Sequence, residues 1–322
     1  MPDLNKLPYN GFLGMSLVAV YGILTRLIFG MQGVRDTLGG VVTLGFIFFV
    51  PLALGALTVV ILPRRLKTSW VVAVFFPWLT CMVVTGLLAI FLLEAVFCVI
   101  LGLPIFLPLS SLGGIIVWYF ASQIKKDTTQ VTVVIFLVLP YLVAGIESRF
   151  PTPTAIRTVA SQVVIAAPAE VVWQKIISVP EIQPEEHHLA AFWLLGAPKP
   201  VQAMLPIEAV GAMRRSSYEG NLFFVEEVTA WQAGQFFSFT IDLDPQVEAP
   251  WPWDQIGGPY FDLLDGGYRI EPLDDHQVIL HLSSRHRLST KLNGYGGWWT
   301  DFILGDIQDY ILAVIKGRAE AF

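Results

Sequence analysis

Charge is scarce in this 322-residue sequence. Asp, Glu, Lys and Arg make up 14% of it, against about 25% in ordinary soluble domains. Cysteine is nearly absent: Cys81 and Cys98 both lie in apolar stretches, where packing is their ordinary role. Residues 149–322 therefore have neither a disulfide framework nor a cysteine nucleophile. Histidine is missing from the first 148 residues, and no series of carboxylates or histidines recurs along the apolar segments as ion or proton transport requires. A Gly-x-Ser-x-Gly elbow, a phosphate loop and a dinucleotide glycine pattern are also missing. "EEHH" (Glu185–His188) has metal-binding residue types. Sequence neighbours do not converge on one helix face, and no third ligand stands at a usual spacing. No metal or cofactor is expected.

The charge that remains is unevenly placed. Residues 1–148 hold eight basic and five acidic side chains, a net +3. Residues 149–322 hold twelve and twenty-one, a net −9. An acidic domain without a basic stripe is a poor partner for nucleic acid.

Long hydrophobic runs fill the first half. A membrane span needs about 20 mostly apolar residues. Gly11–Phe29, Gly40–Leu62, Trp70–Leu93, Ala95–Phe120 and Val131–Ile146 are five candidates, the fourth broken by Pro104 and Pro108 and the fifth at the short limit. The first lacks a small-residue cleavage site and is followed by more spans, so it reads as an uncleaved anchor. "PRRLK" (Pro63–Lys67) and "QIKK" (Gln123–Lys126) are the basic loops and should be cytoplasmic. Lys6 then lies inside, and the Arg35–Asp36 loop outside. Five spans put the C-terminal domain on the extracytoplasmic side; a re-entrant or doubled segment at Ala95–Pro108 would reverse it. Glu94 falls at a helix end, within reach of the headgroups. The expectation is an integral protein of a bacterial plasma membrane, with a transmembrane bundle over 1–148, a proline-stiffened linker over 149–157 and a second domain over 158–322.

That second domain has strand and helix signals. Strands are expected at Thr158–Ala166, Val201–Ile207, Gly211–Tyr218, Leu222–Trp231, Gln235–Leu243, Tyr268–Pro272 and Gln277–Leu288. Pro168 and Glu170 open a helix over Ala169–Ile177. A second helix is expected over Glu185–Leu195, and a long one over Gly296–Gly317, with Trp299, Ile303, Ile307, Tyr310, Ile311 and Val314 at helical spacing. One strand, two short helices, an antiparallel run and a closing helix form the helix-grip plan, an α+β fold in which a curved sheet wraps the last helix.

"VVIAAPAEVVWQKI" (Val163–Ile176), "AVGAMR" (Ala209–Arg214), "FVEEVTAW" (Phe224–Trp231) and "WWTDFILGDIQDYILAVIK" (Trp298–Lys316) together resemble the START/polyketide-cyclase-like (SRPBCC) superfamily, within it a bacterial subgroup with a G-x-G-A-x-R strand. Ala209 stands where that pattern has its first glycine, and "SSRHRL" (Ser283–Leu288) departs from the aromatic pattern of the family. The resemblance implies a hydrophobic-ligand cavity over about half the chain. It does not specify the chemistry.

Strand parity supplies candidate pocket residues. A turn centred on Gly220 sets Arg214 opposite Glu226, and Glu226 shares its face with Leu222, Phe224 and Val228. The pair would sit in the cavity, either as a sheet-stabilising ion pair or as a polar anchor that favours an anionic ligand. Tyr218 adjoins the same turn. Phe237, Phe239 and Ile241 should point inward, with Ser238 and Asp242 outward. His286 shares a face with Val278, Leu280 and Leu282. Trp193, Tyr295 and Trp299 are further candidate walls. The Pro/Trp/Gly-rich insert Pro245–Asp262 reads as a lid or as a loop over the sheet edge. A Glu226–His286 acid/base pair is compatible with the faces, but nothing in the sequence requires it. The leading expectation is non-catalytic binding, sensing or transfer of a lipid-like molecule beside the bilayer. An enzyme acting on an apolar substrate and an assembly partner with a filled pocket are the alternatives.

Overall fold

A computed structural model describes residues 7–34, 41–123 and 129–321. Arg35–Asp36, Lys125–Lys126 and Lys6, which bear on the expected orientation, lie outside the described residues. The chain divides into two compact units, Met1–Thr152 and Pro153–Phe322.

The first unit is helical: α1 (Leu7–Gly30), α2 (Leu44–Ile47), α3 (Phe49–Val60), α4 (Arg64–Lys67), α5 (Trp70–Ile90), α6 (Val96–Gln123) and α7 (Thr129–Glu147). Helix α3 is central: ten of its twelve residues are buried, and it packs against α1, α5, α6 and α7. The approach of α3 to α6 depends on small residues. A Cβ on Gly113 would lie 2.0 Å from the Leu52 carbonyl oxygen, and one on Gly55 1.8 Å from that of Ser110. Such residues let helix backbones meet where lipid removes the hydrophobic drive between helices. Helices α5 and α6 are long and apolar enough to cross a membrane. Each carries proline within it, Pro77 in α5 and Pro104 and Pro108 in α6.

Two carboxylates among the described residues of this unit have protein partners. Arg26 forms an ion pair with Glu94, both largely shielded, and also donates to the Leu93 carbonyl at 2.9 Å. Glu94 therefore has a protein partner at its helix end. Glu147, 8% exposed, accepts from the backbone N–H groups of Leu44 (2.9 Å) and Gly45 (3.0 Å). A carboxylate thus satisfies two otherwise unbonded donors in the first turn of α2.

The second unit is a curved antiparallel sheet closed by one long helix. Its elements are β1 (Thr154–Ile165), α8 (Ala169–Ile177), α9 (Ala191–Leu194), β2 (Pro200–Met204), β3 (Met213–Tyr218), β4 (Leu222–Gln232), β5 (Phe236–Thr240), β6 (Asp242–Leu243), β7 (Phe261–Pro272), β8 (Val278–Ser289) and α10 (Asn293–Glu320). The strand order is β1-β8-β7-β5-β4-β3-β2, with β6 paired to β4. The core lies between the sheet, α8 and α10, around Trp173, Phe237, Tyr268, Leu280, Leu312 and Ile315. This is the expected helix-grip architecture.

Several boundaries differ from expectation. Thr154–Arg157, expected in the linker, already pair with β8. The helix expected over Glu185–Leu195 is a 3-10 turn at Pro184–Glu186 and the single-turn α9. Its polar start is held by tertiary bonds, with Glu186 on Arg318 at the end of α10. The strand expected over Gln235–Leu243 breaks after Thr240. Strand β7 begins at Phe261, not Tyr268. Gly266 and Gly267 are mid-strand in it. A Cβ on Gly266 would come 3.1 Å from the Phe239 ring, and one on Gly267 2.9 Å from the Phe237 carbonyl oxygen. Gly266 admits the inward-pointing Phe239 ring, and Gly267 admits the close approach of the β5 backbone. The C-terminal end of the Pro/Trp/Gly insert is pinned to β8, where Arg287 donates to the carbonyls of Gly258 (2.7 Å) and Pro259 (3.2 Å).

Candidate functional site

The site is a cavity of about 110 Å³ between the concave sheet and α10. Its helical wall is the stripe Leu304, Ile307, Ile311 and Val314, interrupted by one polar residue, Gln308. These positions recur three and four residues apart and so share one helix face. The sheet supplies Arg214 and Ser216 from β3, Phe224 and Glu226 from β4, Phe239 from β5, Gly266 and Tyr268 from β7, and Leu282 and Ser284 from β8.

The turn geometry places Arg214 opposite Glu226 in the β3–β4 register. Gly220 makes this possible at φ 74°, with Asn221 also left-handed at φ 67°. Glycine adopts that region without a Cβ penalty. Arg214 and Glu226 are 3% and 6% exposed and form a buried ion pair. The Ser216 hydroxyl donates to the other Glu226 oxygen at 2.7 Å. Arg214 also points at the last carbonyls of α8, Ile177 at 3.4 Å and Ile176 at 3.5 Å, where the helix dipole favours a cation. Burial acts to lower the Arg214 pKa; the surrounding groups, the Glu226 carboxylate foremost, act against it, and the net direction is upward, so the guanidinium is held charged. Its face lies over the rings of Phe239 and Tyr268, 5.6 and 5.9 Å from their centres. Burial raises the pKa of the Tyr218 and Tyr268 phenols, so both stay protonated and remain hydrogen-bond donors.

Tyr218, Phe224 and Phe239 line this cavity with Arg214 and Glu226. His286, Trp193, Tyr295 and Trp299 are not among its lining residues. His286 lies on the predicted face and is fully buried, but towards the start of α10, with Nε2 3.0 Å from the Thr300 hydroxyl and 3.7 Å from Asp301. Asp301 is paired with Arg157. Burial pushes the His286 pKa down, with Arg157 acting in the same direction and Asp301 against them. Trp193 is 39% exposed under the Lys199 ammonium, 3.2 Å from its ring centre. Tyr295 and Trp299 form an aromatic cluster with Trp298 and Phe302. His286 shares its strand with Leu282 and Ser284, and Tyr295 and Trp299 share α10 with Leu304. Position along β8 carries His286, and the length of α10 carries Tyr295 and Trp299, past the end of the cavity; Trp193 is on α9, which supplies no lining residue. The Glu226–His286 acid/base arrangement is therefore not assembled in this cavity.

Gln308 was not singled out by the apolar periodicity of α10. A lone polar residue on an otherwise apolar helical stripe was the available signal. Among the described residues there is no group of three or more His, Cys, Asp or Glu side chains placed to hold a metal ion. In "EEHH", Glu186 binds Arg318, His187 hydrogen-bonds the Tyr310 hydroxyl, and His188 stacks on the Tyr310 ring at 4.5 Å.

The sheet, closing helix and enclosed cavity define a helix-grip domain. Solved structures similar to its half of the chain include START and polyketide-cyclase proteins. The ZhuI aromatase/cyclase of Streptomyces sp. R1128 is 14% identical, covering 52% of this chain and 94% of its own, with a TM-score of 0.33. A START superfamily protein of Mycobacterium smegmatis is 15% identical over 51% and 97%, with a TM-score of 0.34. A norcoclaurine synthase point mutant of Thalictrum flavum, in complex with a transition-state analogue, is 13% identical over 51% and 96%, with a TM-score of 0.30. No protein-family model and no curated protein matches the chain.

Proposed function

We propose that this chain is a membrane-anchored, non-catalytic binder of a small, largely apolar molecule, acting as a sensor or carrier. The observation that supports it most directly is the cavity under α10, with apolar walls and a few fixed polar groups, the usual make-up of a small-molecule site. Its volume of about 110 Å³ is below the roughly 300–1,000 Å³ of sites for drug-sized ligands. The occupant is then a single-ring molecule or the end of a longer, lipid-like one. Apolar burial at about 25 cal/mol per Å² drives the binding. The helices α5 and α6 support anchoring in a bacterial plasma membrane. The proposed placement of the C-terminal domain is extracytoplasmic, following the basic loops around Pro63–Lys67 and Gln123–Lys126.

The test is mass spectrometry of organic extracts from the purified full chain. A stoichiometric apolar compound that is depleted when Phe239→Trp fills the cavity supports the reading. An empty protein that no apolar compound stabilises against heat overturns it in favour of an assembly partner. A reporter joined after Phe322 and active only on the cytoplasmic side would overturn the proposed orientation.

A further inference from the structure

Gln308 is 4% exposed and is the polar residue on the helical wall of the cavity. Its Nε2 donates to the Val159 carbonyl at 3.2 Å and to the Ser284 hydroxyl oxygen at 2.9 Å. A backbone carbonyl can only accept, so Val159 fixes which end of the amide carries nitrogen. The carbonyl end, Oε1, is buried and has no hydrogen-bond partner among the described residues. Buried acceptors are nearly always satisfied. Ser284, also on the cavity wall, accepts from Gln308 and retains its own hydrogen. The cavity wall thus holds one buried, unsatisfied acceptor next to a hydroxyl able to donate.

Its charge is already closed. Arg214 is committed to Glu226 and directed at the α8 carbonyls, and Glu226 is also held by Ser216. An anion entering here would meet no free cation and would add an unpaired buried charge, which is costly. The pairing therefore weighs towards a neutral ligand rather than the anionic one expected from Arg214.

We propose that the cavity selects a neutral molecule with a hydroxyl on a single-ring-sized apolar body, the hydroxyl donating to Gln308 Oε1 and accepting from Ser284. This rests on the ligand-binding reading above and specifies its chemical class. The scale fits: an engineered apolar cavity of about 150 Å³ takes up benzene, and this one measures about 110 Å³ with polar groups on its wall.

The test is ¹⁹F NMR titration of the full chain in detergent with 4-fluorophenol, fluorobenzene and 4-fluorobenzoate, repeated on Gln308→Leu and Gln308→Met. Comparing variants in the same detergent removes micelle partitioning. The expected result is 4-fluorophenol bound ~10-fold more tightly than fluorobenzene, as one net hydrogen bond gives, with no saturable binding of the benzoate. In whichever variant folds, the preference should fall to near unity while fluorobenzene binding persists. Two outcomes overturn this inference alone and leave the apolar site standing: both neutral rings binding with a preference that the substitutions do not change, or the benzoate binding best. No saturable binding of any probe overturns both readings.

Discussion

Arg214 and Glu226 stand directly opposite one another on neighbouring strands, buried together, and the same guanidinium reaches the C-terminal carbonyls of α8. One side chain thus joins the sheet to the first helix of the domain beside the cavity. A polar pair on a pocket wall is ambiguous between holding a ligand and holding the fold. Here three of the five guanidinium N–H donors and both Glu226 oxygens meet protein, which supports a role in holding the fold.

That assignment predicts a specific pattern of stability. Removing one partner leaves a buried charge uncompensated and costs about 3–5 kcal/mol, whereas replacing both with apolar residues of similar volume is about neutral or stabilising. Arg214→Met and Glu226→Leu should each lower the thermal midpoint of the purified chain sharply, and the double variant should recover most of the loss. If the double variant is as unstable as the sum of the singles, the pair is not acting as a coupled unit.

Much of this region was legible in the sequence because strands alternate. The distance from Gly220 fixed the register of Arg214 against Glu226, and the inward set Leu222, Phe224, Val228, Phe237 and Phe239 follows from it and is buried. Parity gives the face of a residue but not its position along a curved sheet. His286 is therefore inward yet outside the cavity. Strand β7 was expected only from Tyr268, because the close approach between strands that calls for Gly266 and Gly267 leaves no local pattern. Gln308 escaped notice because periodicity arguments collect apolar residues and pass over the exception among them. The partner of Glu94 was also hidden: Arg26 is 68 residues away, and no local pattern connects them.

Gly266 makes a second prediction. Its added Cβ would meet the end of the Phe239 ring at 3.1 Å and the Ser283 carbonyl oxygen at 3.2 Å, so the ring must shift by a few tenths of an ångström into the cavity it lines and the β8 backbone must give slightly. Gly266→Ala should weaken binding of a ring-sized ligand several-fold. The stability change should be within about 1 kcal/mol, since losing glycine flexibility offsets the strain. Titration alongside a thermal melt separates the two effects. Unaltered affinity would mean that Phe239 does not bound the occupied space.

The helical unit makes a third. Gly113→Ala sets a methyl group against the Leu52 carbonyl, and backbone cannot rotate aside as a side chain does. It should disrupt the α3–α6 approach, seen as loss of monodisperse protein on size exclusion in detergent. Gly86 in α5 has nothing within 4 Å of an added Cβ, so Gly86→Ala should leave yield intact and add roughly 0.5–1 kcal/mol of helix stability. Equal behaviour of the two variants would remove close backbone packing as the reason for Gly113.

The last prediction concerns pH. Burial holds the His286 imidazole below its ordinary pKa, with Arg157 adding to the effect. Between that depressed folded value and the unfolded value of about 6.5, the unfolded chain binds a proton that the folded chain does not. Stability must then rise with pH through this window and level off above about 6.5. The thermal midpoint of the full chain, followed from pH 5 to 8 and compared with His286→Gln, should show this portion of the slope in the parent and not in the variant. Histidine-selective NMR of the folded protein should find one imidazole titrating below the ordinary histidine range, absent from the variant. A slope of the opposite sign would mean that Asp301 outweighs burial and Arg157, and that the imidazole is held protonated beside the Arg157–Asp301 pair.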